Sequence, residues 1–223
     1  MNITFYGLSV WVLPLLIAIT FHEAAHAFVA HRLGDKTAWE LGRVSFNPIR
    51  HIDPFGTVML PAMLLLSHSP FLFGYAKPVP VNFRALNNPR LGMVLVALAG
   101  PGMNLLLAVA AALAIAVLAA FNPTGEGWMF VGQNLVNFMA INVFLAVFNL
   151  IPLPPFDGGH VVEGLLPRNL AVHFRKLRRY SLLLLIILLV GVPMAFPSAD
   201  IVQKTIGPPV DWIIRALLPN SVA

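Results

Sequence analysis

Residues 20–27 read T-F-H-E-A-A-H-A. On a helix, residues four apart lie on one face. His22 and His26 can therefore offer imidazole nitrogens to a single metal ion, with Glu23 beside it to handle a proton. The five-residue H-E-x-x-H pattern alone is only moderately specific. Its position makes it sharper, because residues 11–30 are apolar except for Thr20, His22, Glu23 and His26. Two imidazoles and a carboxylate at membrane depth are costly, which marks them as functional candidates. The plainer alternative is a pair of histidines satisfied by hydrogen bonds inside a helix bundle.

A catalytic zinc takes three protein ligands and keeps one position open. With no cysteine in the chain, a thiolate site and a disulfide framework are both excluded. Asp157, in P-P-F-D-G-G-H, is the best third ligand, since glycines follow it and its expected depth matches that of the histidines. Its rivals are His160, Asp53, His51 and Glu163. His160 could instead support a ligand or lie at the surface, His51 and Asp53 suit solvated or structural roles, and Glu163 suits pairing with an arginine. His31, His68 and His173 fall outside any ligand spacing. Glu23 would be the base, accepting a proton from a water whose pKa the metal lowers toward ~7 and passing it to a leaving amine. Asn149, eight residues before Asp157, is a candidate donor to the developing oxyanion or a substrate clamp; a capping or packing amide is the alternative. Asn104 is read as an interhelical hydrogen bond rather than a catalytic group.

The elements that must position these residues are membrane helices. The 223-residue chain is 58% hydrophobic and 10% charged, against about half and about a quarter for soluble domains. No stretch suits a separate soluble domain, so residues 1–223 read as one transmembrane domain of about four to six helices. The net charge of +5 bears on topology rather than on nucleic acid. The first apolar run lacks a basic leader and a cleavage site and is expected to be retained. No internal repeat or low-complexity segment is found.

The first span covers residues 8–31, with Arg32, Lys36, Arg43 and Arg50 following it. The positive-inside rule then puts its C-terminal end, and the H-E-x-x-H, toward the cytoplasm of a multi-pass cell (inner) membrane protein. Residues 55–73 are apolar but broken by Pro61, Ser67, His68 and Pro70, and a re-entrant hairpin is preferred to a full crossing. Within residues 55–90, the run K-P-V-P-V-N is extended by composition, because each proline biases its predecessor toward extended geometry. Core helices follow at 91–121 and, within 128–165, up to the D-G-G motif, where Pro152, Pro154 and Pro155 break the helix. With the hairpin, helix parity returns Asp157 to the side and depth of His22 and His26. A span at 180–195 and a short interfacial helix at 208–218 complete the reading.

H-E-A-A-H in the first span, A-G-P-G-M-N, N-L-I-P-L-P-P-F-D-G-G, N-P with H-I-D-P-F-G-T, and A-K-P-V-P-V-N together resemble the site-2 protease family of intramembrane zinc metalloproteases (peptidase family M50), in its compact bacterial form. The resemblance covers roughly residues 8–165. It implies an all-α membrane fold around a three-helix catalytic core, with a re-entrant or β-type segment between the first two core helices. It further implies one zinc ion per chain held by His22, His26 and Asp157, with Glu23 catalytic and Asn149 facing the site. The implied substrates are transmembrane segments of other proteins, usually already cut once by another protease. The K-P-V-P-V-N stretch resembles the family's β region, which implies substrate contact at Pro78, Val79 and Asn82 by edge addition. The sequence departs from many relatives in carrying neither a PDZ nor a CBS domain, nor an extra span before the H-E-x-x-H helix, which leaves substrate selection open. A metal transporter would need ligands strung along a path and usually an inverted repeat; a catalytically silent scaffold would not need Glu23.

Overall fold

The computed structural model describes residues 5–59, 63, 76–187, 191–195 and 201–218, and no β-strand occurs among them. Three helices dominate: α1 (Phe5–Arg32), then, after the short α2 (Thr37–Glu40), α3 (Pro89–Phe121) and α4 (Glu126–Asn149). Shorter helices follow: α5 (Asp157–Leu165), α6 (Arg168–Lys176), α7 (Ser181–Ile186), α8 (Val192–Ala195) and α9 (Ile201–Leu217). Among the described residues, three helices are long and apolar enough to cross a membrane: Ser9–Arg32, Pro89–Phe121 and Glu126–Asn149. The chain is an all-α membrane protein. At 1.5 Å per residue, the 33 residues of α3 exceed a hydrocarbon core of about 30 Å, so this helix must tilt or project beyond it.

The sequence of α3 explains both its ends and its faces. The Asn88 side chain accepts from the Leu91 N–H and Pro89 takes the first turn, where a missing N–H costs nothing. The helix stops at Asn122, which adopts a left-handed conformation with φ 40°, a residue type that tolerates it. Its large residues, Leu91, Leu95, Leu98, Leu106, Val109, Leu113 and Val117, are exposed at helical spacing, while Ala97, Gly100, Asn104, Ala108, Ala111 and Ala112 are buried. In lipid, large apolar side chains gain little from leaving the surface, and small residues let backbones approach. A short turn over residues 122–125 returns the chain as α4, so α3 and α4 form an antiparallel hairpin sharing a core of Ala108, Ala111, Ala112, Ile115, Met139 and Val143.

Four expectations meet the structure in different ways. The helix expected over 208–218 begins at Ile201 and runs through Pro208 and Pro209. Val210, Ile213, Ile214 and Leu217 pack against the α3–α4 core, so burial of this face outweighs the two N–H groups the prolines remove. The expected β-type stretch at 76–82 has no regular secondary structure and pairs in no sheet among the described residues. Of the hairpin expected at 55–73, residues 54–59 form a single π-helical turn, and residues 60–62 and 64–75 lie outside the described residues. The span expected at 180–195 is described in two pieces, α7 and α8, with residues 188–190 outside the description.

Candidate metal centre

The helix α1 carries His22, Glu23 and His26 where it crosses α3, and both imidazoles are held from behind. His26 Nδ1 lies 2.7 Å from the Val96 carbonyl oxygen. A carbonyl can only accept, so Nδ1 carries the proton and Nε2 is bare. For His22 the same result follows through a chain of amides. Asn142 donates to the Phe138 carbonyl at 2.8 Å, which turns its Oδ1 toward the Asn104 amide at 2.7 Å. Asn104 also donates to the Ala18 carbonyl at 3.3 Å. Its Oδ1 is left to accept from His22 Nδ1 at 2.6 Å, and His22 Nε2 is bare as well.

The two bare nitrogens face each other at 3.0 Å. Asp157 Oδ2 completes the group at 3.2 Å from His22 Nε2 and 3.3 Å from His26 Nε2. These contacts are ion pairs only if an imidazole takes a second proton. Otherwise three acceptors converge with no donor among them, and Asp157 Oδ2 is buried without a hydrogen-bond partner. An unpaired buried acceptor costs about 1–3 kcal/mol. One cation relieves all three at once. The donor set of two imidazole nitrogens and a carboxylate, each side chain mostly buried and all three ligand atoms within 4.8 Å of one another, is the kind that leaves zinc an open fourth position.

Glycines allow this approach. A Cβ on Gly100 would sit 2.6 Å from His22 Nε2, so the A-G-P-G segment lets α3 close over the two rings. Asp157 opens α5, where a carboxylate suits the helix N-terminus. A Cβ on Gly158 would lie 2.6 Å from the Leu150 carbonyl carbon, and one on Gly159 would lie 2.8 Å from that of Leu153. The D-G-G motif thus presses the first turn of α5 against the proline-rich turn that ends α4.

Glu23 stands beside the group. One of its oxygens, Oε2, accepts from the Val79 N–H at 2.7 Å. In K-P-V-P-V-N the prolines have no N–H, so residues 77–82 offer four donors: Lys77, Val79, Val81 and Asn82. Three are taken inward, Lys77 by the His51 carbonyl at 2.9 Å, Val79 by Glu23 and Asn82 by Asp35 at 2.6 Å. Arg43 holds the Lys77 carbonyl at 2.6 Å from the other side.

A cavity of about 350 Å³ opens onto His22, Glu23, His26 and Asp157, and Pro78, Val79, Phe83, Asn149 and His160 form its further walls. Asn149 lines it while donating to its own helix at Leu145 O, 3.0 Å away. Asn82 is not among its walls; its Oδ1 accepts from Arg84 N at 3.2 Å. His160 accepts from Arg178 at 3.1 Å and its ring lies 4.9 Å from that of Phe83. Burial, with the Arg178 charge beside it, pushes the His160 imidazole below its ordinary range.

The rivals for the third ligand position are engaged elsewhere. The buried His51 bonds the Ser45 carbonyl at 2.7 Å, and Asp53 caps the turn at Phe55 and Gly56. Glu163, 3% exposed, pairs with Arg175 at 2.8 Å and with Arg178. His31 stacks on Trp39, His173 bonds Asn169 O, and His68 lies outside the described residues. The residue whose weight the sequence reading missed is Asn104. It does make an interhelical bond, as expected, but its partner is a site histidine. Its signal was spacing: it lies four residues after Gly100, on the same face.

Comparison with known proteins agrees with this centre. The profile described as "Peptidase family M50" matches residues 10–132 and 128–192. "Putative zinc metalloprotease YwhC" of Bacillus subtilis (strain 168) is 38% identical over 197 residues, covering 83% of this chain and 84% of that protein. "Putative zinc metalloprotease Rip2" of Mycolicibacterium smegmatis (strain ATCC 700084 / mc(2)155) is 26% identical over 175 residues, 78% of this chain and 64% of that protein. Its namesake in Mycobacterium tuberculosis (strain ATCC 25618 / H37Rv) is 28% identical over 173 residues, 78% of this chain and 63% of that protein. No solved structure matches significantly. With the profile spanning most of the chain and three helices among the described residues long and apolar enough to cross a membrane, the chain belongs to peptidase family M50 and is a membrane metalloprotease.

Proposed function

We propose that this protein is a zinc-dependent intramembrane endopeptidase that hydrolyses peptide bonds within transmembrane segments of other membrane proteins, in the site-2 manner, after a first cut by another protease. The observation that carries the reading is the convergence of three donor-free acceptor atoms, two of them on a helix long and apolar enough to cross a membrane. A centre built partly on such a helix supports attack on a peptide bond at membrane depth.

His22 Nε2, His26 Nε2 and an Asp157 carboxylate oxygen would hold the zinc, one per chain. When bound, zinc supplies a Lewis acid that polarises a carbonyl and acidifies water. Glu23 takes the proton of the attacking water and returns it to the leaving amine. The Val79 N–H fixes one Glu23 oxygen and leaves the other for that transfer. The cavity walls of Pro78, Val79 and Phe83 suit an unwound apolar segment. Edge addition there has little to work with, since only the Val81 N–H of the loop is without a partner among the described residues. Carbonyls of residues 78–81 are the groups left to hold a substrate strand, with Asn149 a candidate amide at the opposite wall.

Orientation toward the cytoplasmic side of the cell membrane is supported by charge. Arg32, Lys36, Arg43 and Arg50 follow α1, and Arg168, Arg175, Lys176, Arg178 and Arg179 follow Asp157. A transporter is less well supported, because the ligand atoms meet at one point rather than along a path.

The test is cleavage of a model transmembrane segment by the detergent-purified chain, wild type beside Glu23→Gln, with zinc determined on both. Wild type should cut. Glu23→Gln should keep about one zinc per chain and lose ~10²–10⁴-fold in rate. Equal cutting by both would refute the role of Glu23, and a zinc-loaded wild type that cuts no transmembrane segment would refute the reading itself.

A further inference from the structure

We propose that His160 is a catalytic residue of this centre, donating a hydrogen bond from Nε2 to the scissile carbonyl oxygen as negative charge develops on it, and that Arg178 positions it by fixing its tautomer. This rests on the protease reading above.

The argument starts from the Arg178 guanidinium, which lies 3.1 Å from His160 Nδ1. A guanidinium has five donors and no acceptor. Nδ1 must therefore present its lone pair, and in the neutral ring the one proton sits on Nε2. Arg178 cannot easily turn away, because it also pairs with Glu163, which is buried and held from its other oxygen by Arg175. The half-buried ring beside a fixed cation has its pKa pushed down, which favours the neutral form.

Position directs that donor. His160 follows Asp157 by three residues on α5, on the same helical face. It is shared by two cavities. One, of about 250 Å³, contains Arg178, Pro154 and Ser181 but none of the candidate zinc ligands. The other contains His22, Glu23, His26 and Asp157 but not Arg178. His160 and Pro155 are the two residues that line both cavities; with Nδ1 taken by Arg178, Nε2 at the far edge of the ring is the nitrogen left for the reaction centre. It does not join the three-atom group that could hold the ion. No bond to His160 forms or breaks: water oxygen adds to the carbonyl carbon, its proton goes to Glu23, and the carbonyl π electrons move onto the oxygen that His160 contacts. A donor placed before the reaction for such an oxyanion contributes ~10²–10³-fold in rate.

The experiment uses the full zinc-loaded chain and the model segment above, with His160→Leu, which removes the donor, His160→Gln, which keeps an N–H, and Arg178→Leu. His160→Leu should lose ~10²–10³-fold in kcat, with KM and zinc content unchanged, and His160→Gln should recover a substantial part. The ¹⁵N shifts of His160 should report the Nε2–H tautomer in wild type and a mixture in Arg178→Leu, a readout that needs no turnover. A His160→Leu variant cutting at the wild-type rate, a loss confined to KM, loss of zinc, or an Nδ1–H ring in wild type would each overturn the proposal. Wild-type cleavage in the same assay separates these results from a failure of the protease reading, in which no variant cuts.

Discussion

His22 and His26 are aligned by groups on α3, the Asn104 side chain and the Val96 carbonyl, rather than by neighbours on their own helix. The reciprocal partner of a metal-binding imidazole sets both its tautomer and its aim, and removing such partners typically costs ~10–100-fold in metal affinity. Asn104→Leu keeps the branched shape of the side chain but removes the acceptor. Zinc affinity measured by chelator competition should fall by about that factor, while the helical content of the purified protein holds. Unchanged affinity would mean that the amide chain from Phe138 through Asn142 and Asn104 is packing alone. The histidines and Glu23 were legible from four-residue spacing in an apolar run. Asn104 was legible only as a polar group on an interhelical face, because the H-E-x-x-H pattern says nothing about what stands behind each ring.

The element with the clearest division between readable and unreadable is the K-P-V-P-V-N segment. Its lack of helix follows from proline sterics, and its pattern of available donors can be counted off the sequence. What the donors meet cannot. Glu23 is 56 positions from Val79 and Asp35 is 47 from Asn82, contacts that only the tertiary arrangement supplies. The same limit applies to α9, whose apolar face looked suited to a membrane surface until the small-residue core of α3 and α4 was present to receive it. Val79→Pro keeps extended geometry and deletes one N–H. It should slow cleavage by roughly tenfold, in the range of about 1.5 kcal/mol for one hydrogen bond to a charged group, without loss of zinc. A rate equal to wild type would show that Glu23 needs no anchor from this segment.

At the scale of the molecule, helix parity alone returns Asp157 to the side and depth of the histidines, provided residues 55–73 form a hairpin. The three ligand atoms bridge α1 and α5, so ion binding should tie the fold together. A ligand bound only by the folded state at a hundredfold excess over its Kd adds about 2.7 kcal/mol, worth roughly 5–10 °C in Tm for a chain of this size. Chelation should lower the Tm of the detergent-purified protein by that amount, and His26→Ala should abolish the shift. A Tm insensitive to chelator would mean that the three acceptors are reconciled by a proton instead.

The distance along the chain between those ligands has a consequence for how the protein is made. His26 is synthesised 131 residues before Asp157 (157 − 26), and the acceptors for both imidazoles arrive only with α3. A chain still emerging from the ribosome carries two histidines in lipid with neither tautomer fixed and no third ligand. Hydrolytic competence therefore begins only once α3, α4 and the proline turn have been inserted and α5 has docked. An ion that needs all three ligands would load only onto the completed fold, and an incomplete copy has no assembled centre.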